Sequence, residues 1–216
     1  MDNRVPLSAF GGPRHLVRCE SGADDSPYLH VASPLEGRSA GYGMVPLLRW
    51  TMDAYDWLIE HVDRTYQEGN WAGTGVRPAL EGVSAELAAW RPHPEQHTIA
   101  EIALHMAYWK DAVGARLANR PWAYDKEQNW RPVPATAHGW TGALSDLQAA
   151  HDRLMRGLRA LSSTHLMAAV DTTPGGPTRE LRVIDLVVDI ATHDHYHAAQ
   201  IFVLKRLHGG PGDAAA

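Results

Sequence analysis

The sequence predicts an all-α protein built as a four-helix bundle. Two observations carry this. Four long segments repeat apolar residues at alternating spacings of four and three, and the link between the second and third segments is too long for a tight helical hairpin. A helix that buries one face repeats its apolar residues in that way, whereas a half-buried strand would repeat them every second residue.

The first helix is expected from about residue 45 to Gly69, with Leu48, Met52, Tyr55, Ile59, Val62 and Tyr66 on one stripe. Residues 70–97 form a link. Within it, 83–90 reads as a short helix with Ser84 as its N-cap, stopped by the Pro-rich run from Arg91 to Pro94. Thr98 caps the second helix, and Glu101 three residues on completes a capping box. Its inward stripe is Ile102, His105, Trp109 and Ala112. Residues 119–139 hold Trp122, Tyr124, Trp130 and Pro121, Pro132 and Pro134, and read as a crossover.

The third helix is expected from about Gly139 to Leu161, on the row Trp140, Leu144, Leu147, His151, Leu154, Leu158 and Leu161. After a Gly/Pro-rich loop, the fourth runs from about Leu181 to Leu207. Its row is Leu186, Ile190, His193, His197, Ile201 and Leu204, and Gly and Pro after His208 end it. The expected organisation is an N-terminal arm (1–43), the bundle (44–208) and a frayed tail (209–216). The arm is Gly-, Pro- and Ser-rich; its segments 15–20 and 28–32 read as two short strands or as extended chain.

Composition narrows the function. A net charge of −5 without a basic stripe argues against a nucleic-acid surface, and no apolar run is long enough to span a membrane. Cys19 is the only cysteine, so no intrachain disulfide can form. With no signal-peptide core at the N-terminus, the expected location is the cytoplasm.

Chemistry points to histidine. His193 and His197 lie four residues apart, stacked on one face of a helix, and His105 interrupts the inward row of another helix. Burying an imidazole is costly unless its nitrogens find partners, and a shared cation would satisfy all three rings. Three neutral imidazoles with an open position form a catalytic metal arrangement, suited to Zn or Ni, with Fe or Mn also conceivable. His195, two residues from each neighbour, should point away.

Asp189, one turn before His193, could accept a hydrogen bond from the far nitrogen of that ring. His151 is expected as a core or pocket histidine, with a fourth-ligand role less favoured. Trp109 is expected in the core or walling a pocket. Gln200 could donate to a substrate or close a bundle-end hydrogen bond. No pair of carboxylates marks a general base; Asp53, Asp56 and Tyr196 are conceivable helpers for which surface roles are favoured.

These residues resemble the DinB-like (DinB/YfiT) metal-binding four-helix bundles. The likeness covers about residues 45–207 and rests on the segments 80–92, 98–109 (around His105) and 193–201 (around His193 and His197). It implies an up-down-down-up bundle, a divalent metal at His105, His193 and His197, and a homodimer. It also implies an enzyme acting on a small molecule: a transferase using a low-molecular-weight thiol such as bacillithiol, mycothiol or glutathione, or alternatively a metal-dependent hydrolase. A metal-binding stress-response protein without catalysis is a further reading. So is a docking module built on Trp122, Trp130 and Trp140, which requires those rings to be exposed.

Overall fold

A computed structural model describes residues 53–170 and 180–209. The expected arm, Leu48, Met52 and the Gly/Pro-rich stretch 171–179 lie outside the described residues.

Among the described residues helices dominate, as the periodicity predicts. Helix α1 (Ala54–Gln67) starts where the Asp53 carboxylate accepts from the Tyr55 amide, which places Asp53 as a cap. It buries Tyr55, Ile59, Val62 and Tyr66. The link that follows is more ordered than the sequence suggests. A two-rung hairpin pairs β1 (Gly69–Asn70) with β2 (Gly73–Thr74), and α2 (Val76–Leu80) follows it. Gly69 has φ +101°, and a Cβ there would collide with the Gly73 carbonyl, so the hairpin requires glycine.

The short helix α3 (Ala85–Ala89) has Ser84 as its N-cap, accepting from the Leu87 amide. Helix α4 (Ile99–Leu117) begins at the expected capping box. The Glu101 amide donates to Thr98 Oγ1 at 3.1 Å, and the Thr98 amide donates to Glu101 Oε2 at 3.0 Å. The crossover carries one helical turn, α5 (Lys126–Asn129), capped by Asp125. Helix α6 (Ala137–Ala160) starts two residues earlier than predicted because Thr136 caps it.

A second antiparallel pairing joins β3 (Ala169–Val170) and β4 (Leu181–Arg182). Leu181 therefore belongs to a strand, and α7 (Val183–Gly209) begins just after it. No described helix is long and apolar enough to cross a membrane.

The core forms two apolar clusters. One gathers Ile102, Met106, Trp140, Leu147 and Ile201; the other gathers Ile59, Leu154, Leu158, Leu186 and Ile190. Trp140 is buried and donates its indole N–H to the Val83 carbonyl at 2.9 Å, so it cannot contribute to an exposed tryptophan docking face. His151 sits in the core, stacked 3.8 Å from the Tyr66 ring, with Nε2 3.0 Å from Asp63 Oδ1.

Burial, and then the Lys110 charge, pull the His151 pKa down to about 4, against about 6.5 in an unfolded chain. The unfolded state therefore binds the proton more readily. Stability from the neutral buried ring is complete above about pH 6.5 and is lost as pH falls towards 4. Urea midpoints should drop across that window in the wild type, and drop less in His151→Gln, which lacks this titrating ring. Equal slopes would contradict this assignment.

Candidate metal centre

Two helices bring three imidazoles together. His105 lies one turn beyond the Glu101 that locks the start of α4, and His193 and His197 lie one turn apart on α7. Their Nε2 atoms converge: His193 to His105 at 3.2 Å, and His197 to His193 at 3.1 Å. His105 and His197 are buried and His193 is partly so.

The outer nitrogens show where the lone pairs point. His105 Nδ1 donates to the Asn129 carbonyl at 3.3 Å, and His197 Nδ1 donates to Gln200 Oε1 at 2.6 Å. Both bonds leave bare lone pairs on the inner Nε2 atoms. His193 Nδ1 is buried and has no hydrogen-bond partner. At most one proton, on His193 Nε2, is then available to three nitrogens that face one another. A cation satisfies all three.

Burial first, and then the neighbouring histidines, hold the His193 pKa down to about 2 and that of His105 to about 4. Burial, opposed by the Gln200 hydrogen bond, holds His197 at about 4. The rings are therefore neutral at physiological pH, the form in which imidazole can bind a metal. Two ligands of one tetrahedral Zn²⁺, each about 2.0–2.1 Å from the ion, lie about 3.3 Å apart, close to the spacing seen here. The three side chains form a group that could hold a metal ion.

The site opens into a cavity of about 860 Å³, walled by Trp109, Trp130, Ile102, Tyr196, Val203 and Leu207, with Glu95, Gln96 and His97 also in its lining. A family model for the DinB superfamily matches residues 68–201, which include all three histidines. The chain belongs to the DinB superfamily. No curated protein matches it.

Within this DinB-superfamily site, the other candidate residues take different places. Trp109 walls the cavity, its ring 6.4 Å from those of both His105 and His193. Gln200 does more than close a bundle end: it orients His197 through Oε1 while Nε2 donates to the Tyr196 hydroxyl at 3.0 Å. Asp189 is exposed and does not serve His193, whose Nδ1 goes unpartnered; the side chain one turn back projects outward from α7. His151 stands apart from the triad, committed to Asp63 and Tyr66. His195 also stays out, with Nε2 2.8 Å from the Asn70 side-chain amide.

Asp194 is fully buried and paired with Lys110 at 2.5 Å. Helix α7 packs on α1, α2 and α4, so its buried arc is wider than one row.

The sequence reading also missed the support of His105. The ring of Trp130 stacks on it at 3.8 Å, and His97 stacks on Trp130 at 3.5 Å, both nearly parallel. Both imidazoles lie over the centre of one indole, so they must occupy its opposite faces. The crossover turn thus clamps His105 twice, by the Asn129 carbonyl and by the Trp130 ring. Trp130 was visible as an aromatic in a Pro-rich loop, but a backbone carbonyl carries no sequence signal.

Gln200→Leu removes the acceptor at His197 Nδ1. Imidazole ¹⁵N shifts should move His197 from the Nδ1–H tautomer towards a mixture, leaving His105 unchanged. An unchanged His197 would show that Gln200 does not set the tautomer.

Proposed function

We propose that this DinB-superfamily protein is a metal-dependent enzyme acting on a small molecule, with His105, His193 and His197 holding one divalent cation. Zn or Ni suits an all-imidazole donor set best. The observation that carries the reading is the convergence of three neutral Nε2 atoms at the wall of a roomy, largely apolar cavity.

A bound divalent cation would lower the pKa of a coordinated thiol or water and polarise a nearby electrophile. The chain's own residues bind and orient. Asn129 and Gln200 aim two of the imidazoles, Trp130 holds the plane of His105, and Trp109, Val203 and Leu207 offer an apolar surface to the body of a substrate.

Transfer to or from a low-molecular-weight thiol is the version we favour. The metal-ligand cluster contains no carboxylate, and a thiol activated by a cation needs no base from the protein. One observation supports the hydrolytic alternative: Glu95 lines the same cavity and is a carboxylate available to activate water.

Purified wild type should bind one equivalent of Zn²⁺ or Ni²⁺, and His193→Ala should bind at least tenfold more weakly, since the two remaining imidazoles cannot complete the site. The loaded protein, offered a panel of low-molecular-weight thiols and apolar electrophiles, should consume thiol and electrophile in equal amounts, and His193→Ala should not. Product release without any thiol would favour hydrolysis. Equal metal content in wild type and variant would reject the centre itself.

A further inference from the structure

The two apolar clusters are separated by a polar layer to which all four long helices contribute. On α4, Lys110 falls between Met106 of one cluster and Val113 of the other. On α7, Asp194 falls between Ala198 and Ala191 in the same way, and His151 does so on α6 and Thr65 on α1. All four are buried. At the centre of this layer the Lys110 ammonium donates to Asp194 Oδ2 at 2.5 Å, with both side chains 0 % exposed. The same ammonium lies 5.0 Å over the Tyr66 ring.

A buried ion pair is a poor stabiliser. Desolvation of both ions offsets their attraction, and well-packed apolar replacements are often as stable or more so. The rows in which these residues sit suggest a different role. On α4 the deepest row is Ile99, Ala103, Met106, Lys110 and Val113; on α7 it is Val187, Ala191, Asp194, Ala198 and Ile201. Both follow the same four-three spacing, and each is interrupted by a single charge, of opposite sign. Two such apolar rows, slipped by one turn of about 5.4 Å, would re-pair almost as well. The slip would leave two buried charges unpaired, and that cost falls on the wrong register alone.

The same two helices carry the triad. His105 lies five residues before Lys110, and Asp194 immediately follows His193. The Nε2 atoms of His105 and His193 meet at 3.2 Å only if α4 and α7 hold one axial position. A shift of one residue, about 1.5 Å, would open them.

We propose that Lys110 and Asp194 are positioning residues of the metal centre: they lock the register of α4 against α7 and so set the spacing of His105 from His193 and His197. This rests on the metal-centre reading above. The pair acts on the ligands through the helices and touches no substrate.

The test replaces the pair by an apolar one of similar size, Lys110→Met with Asp194→Leu, and separately by a neutral polar pair, Lys110→Gln with Asp194→Asn. The apo urea midpoint, Zn²⁺ affinity by chelator competition and the visible spectrum of the Co²⁺ form are measured. The apolar pair should keep or raise the midpoint, bind Zn²⁺ at least tenfold more weakly and lose the single Co²⁺ spectrum of the wild type. The neutral pair should recover most of the affinity.

A metal-free readout runs beside these. Nitroxides on Ala118→Cys and Val188→Cys, in a Cys19→Ser background, should give one narrow distance in the wild type and a broadened or second distance in the apolar variant. Wild-type affinity and distance in the apolar variant would overturn the proposal. So would a neutral pair that binds no better than the apolar one, or an apolar variant that cannot fold. Absence of Zn²⁺ binding by the wild type would instead overturn the metal-centre reading, while the nitroxide distances would still judge the register lock.

Discussion

The axial position of α4 against α7 is the constraint on which the rest of this molecule depends. His105 comes from one helix and His193 and His197 from the other, and the Nε2 atoms of His105 and His193 meet across them at 3.2 Å. Apolar packing supplies the attraction between these helices but discriminates weakly between registers related by a turn, because the facing rows repeat. Direction must come from elsewhere. The capping box at Thr98 and Glu101 fixes where α4 begins, and Arg91, donating to Glu101 Oε1 at 2.6 Å, ties that start to the preceding loop. Further along, the Lys110–Asp194 pair is the one buried charge pairing among the described residues that joins α4 to α7.

Around the triad, a second tier decides what the nitrogens can do. Hydrogen bonds at the outer Nδ1 atoms of His105 and His197 turn lone pairs inward, and burial keeps all three rings uncharged. Neutral, inward-facing and mutually repelling nitrogens are a costly arrangement without a cation and a favourable one with it. The sandwich of His97, Trp130 and His105 extends this tier into the cavity wall, so the crossover loop both shapes the pocket and holds His105 in place. A substrate filling the cavity would meet aromatic and aliphatic surface on most sides, with polar groups gathered near the triad and at the 95–97 loop.

Much of this was legible in the sequence, for identifiable reasons. Helices with one buried face declare themselves by period, so α4, α6 and α7 were found to within a few residues, and Ser84 and Thr98 announced their caps by residue type. The triad was legible because a histidine in an apolar row is conspicuous and i,i+4 spacing implies one face. Asp194 and Lys110 were not, although each interrupts an apolar row in the same manner. One stripe per helix is too narrow a template for helices that pack on several neighbours, and a charge in a sequence is by default a surface mark. Asp189 failed for the converse reason: four-residue spacing places a side chain near a ring without turning it inward. The strands among the described residues are two residues long, too short to carry a period.

The most direct test of the central claim is X-ray absorption at the metal edge of the protein purified with its native metal and loaded to one equivalent. Three imidazole ligands at about 2.0–2.1 Å from a zinc ion, with a further light-atom position open to solvent or thiol, is the expected result. A first shell with fewer than three imidazoles, or one unchanged by His105→Ala, would contradict it.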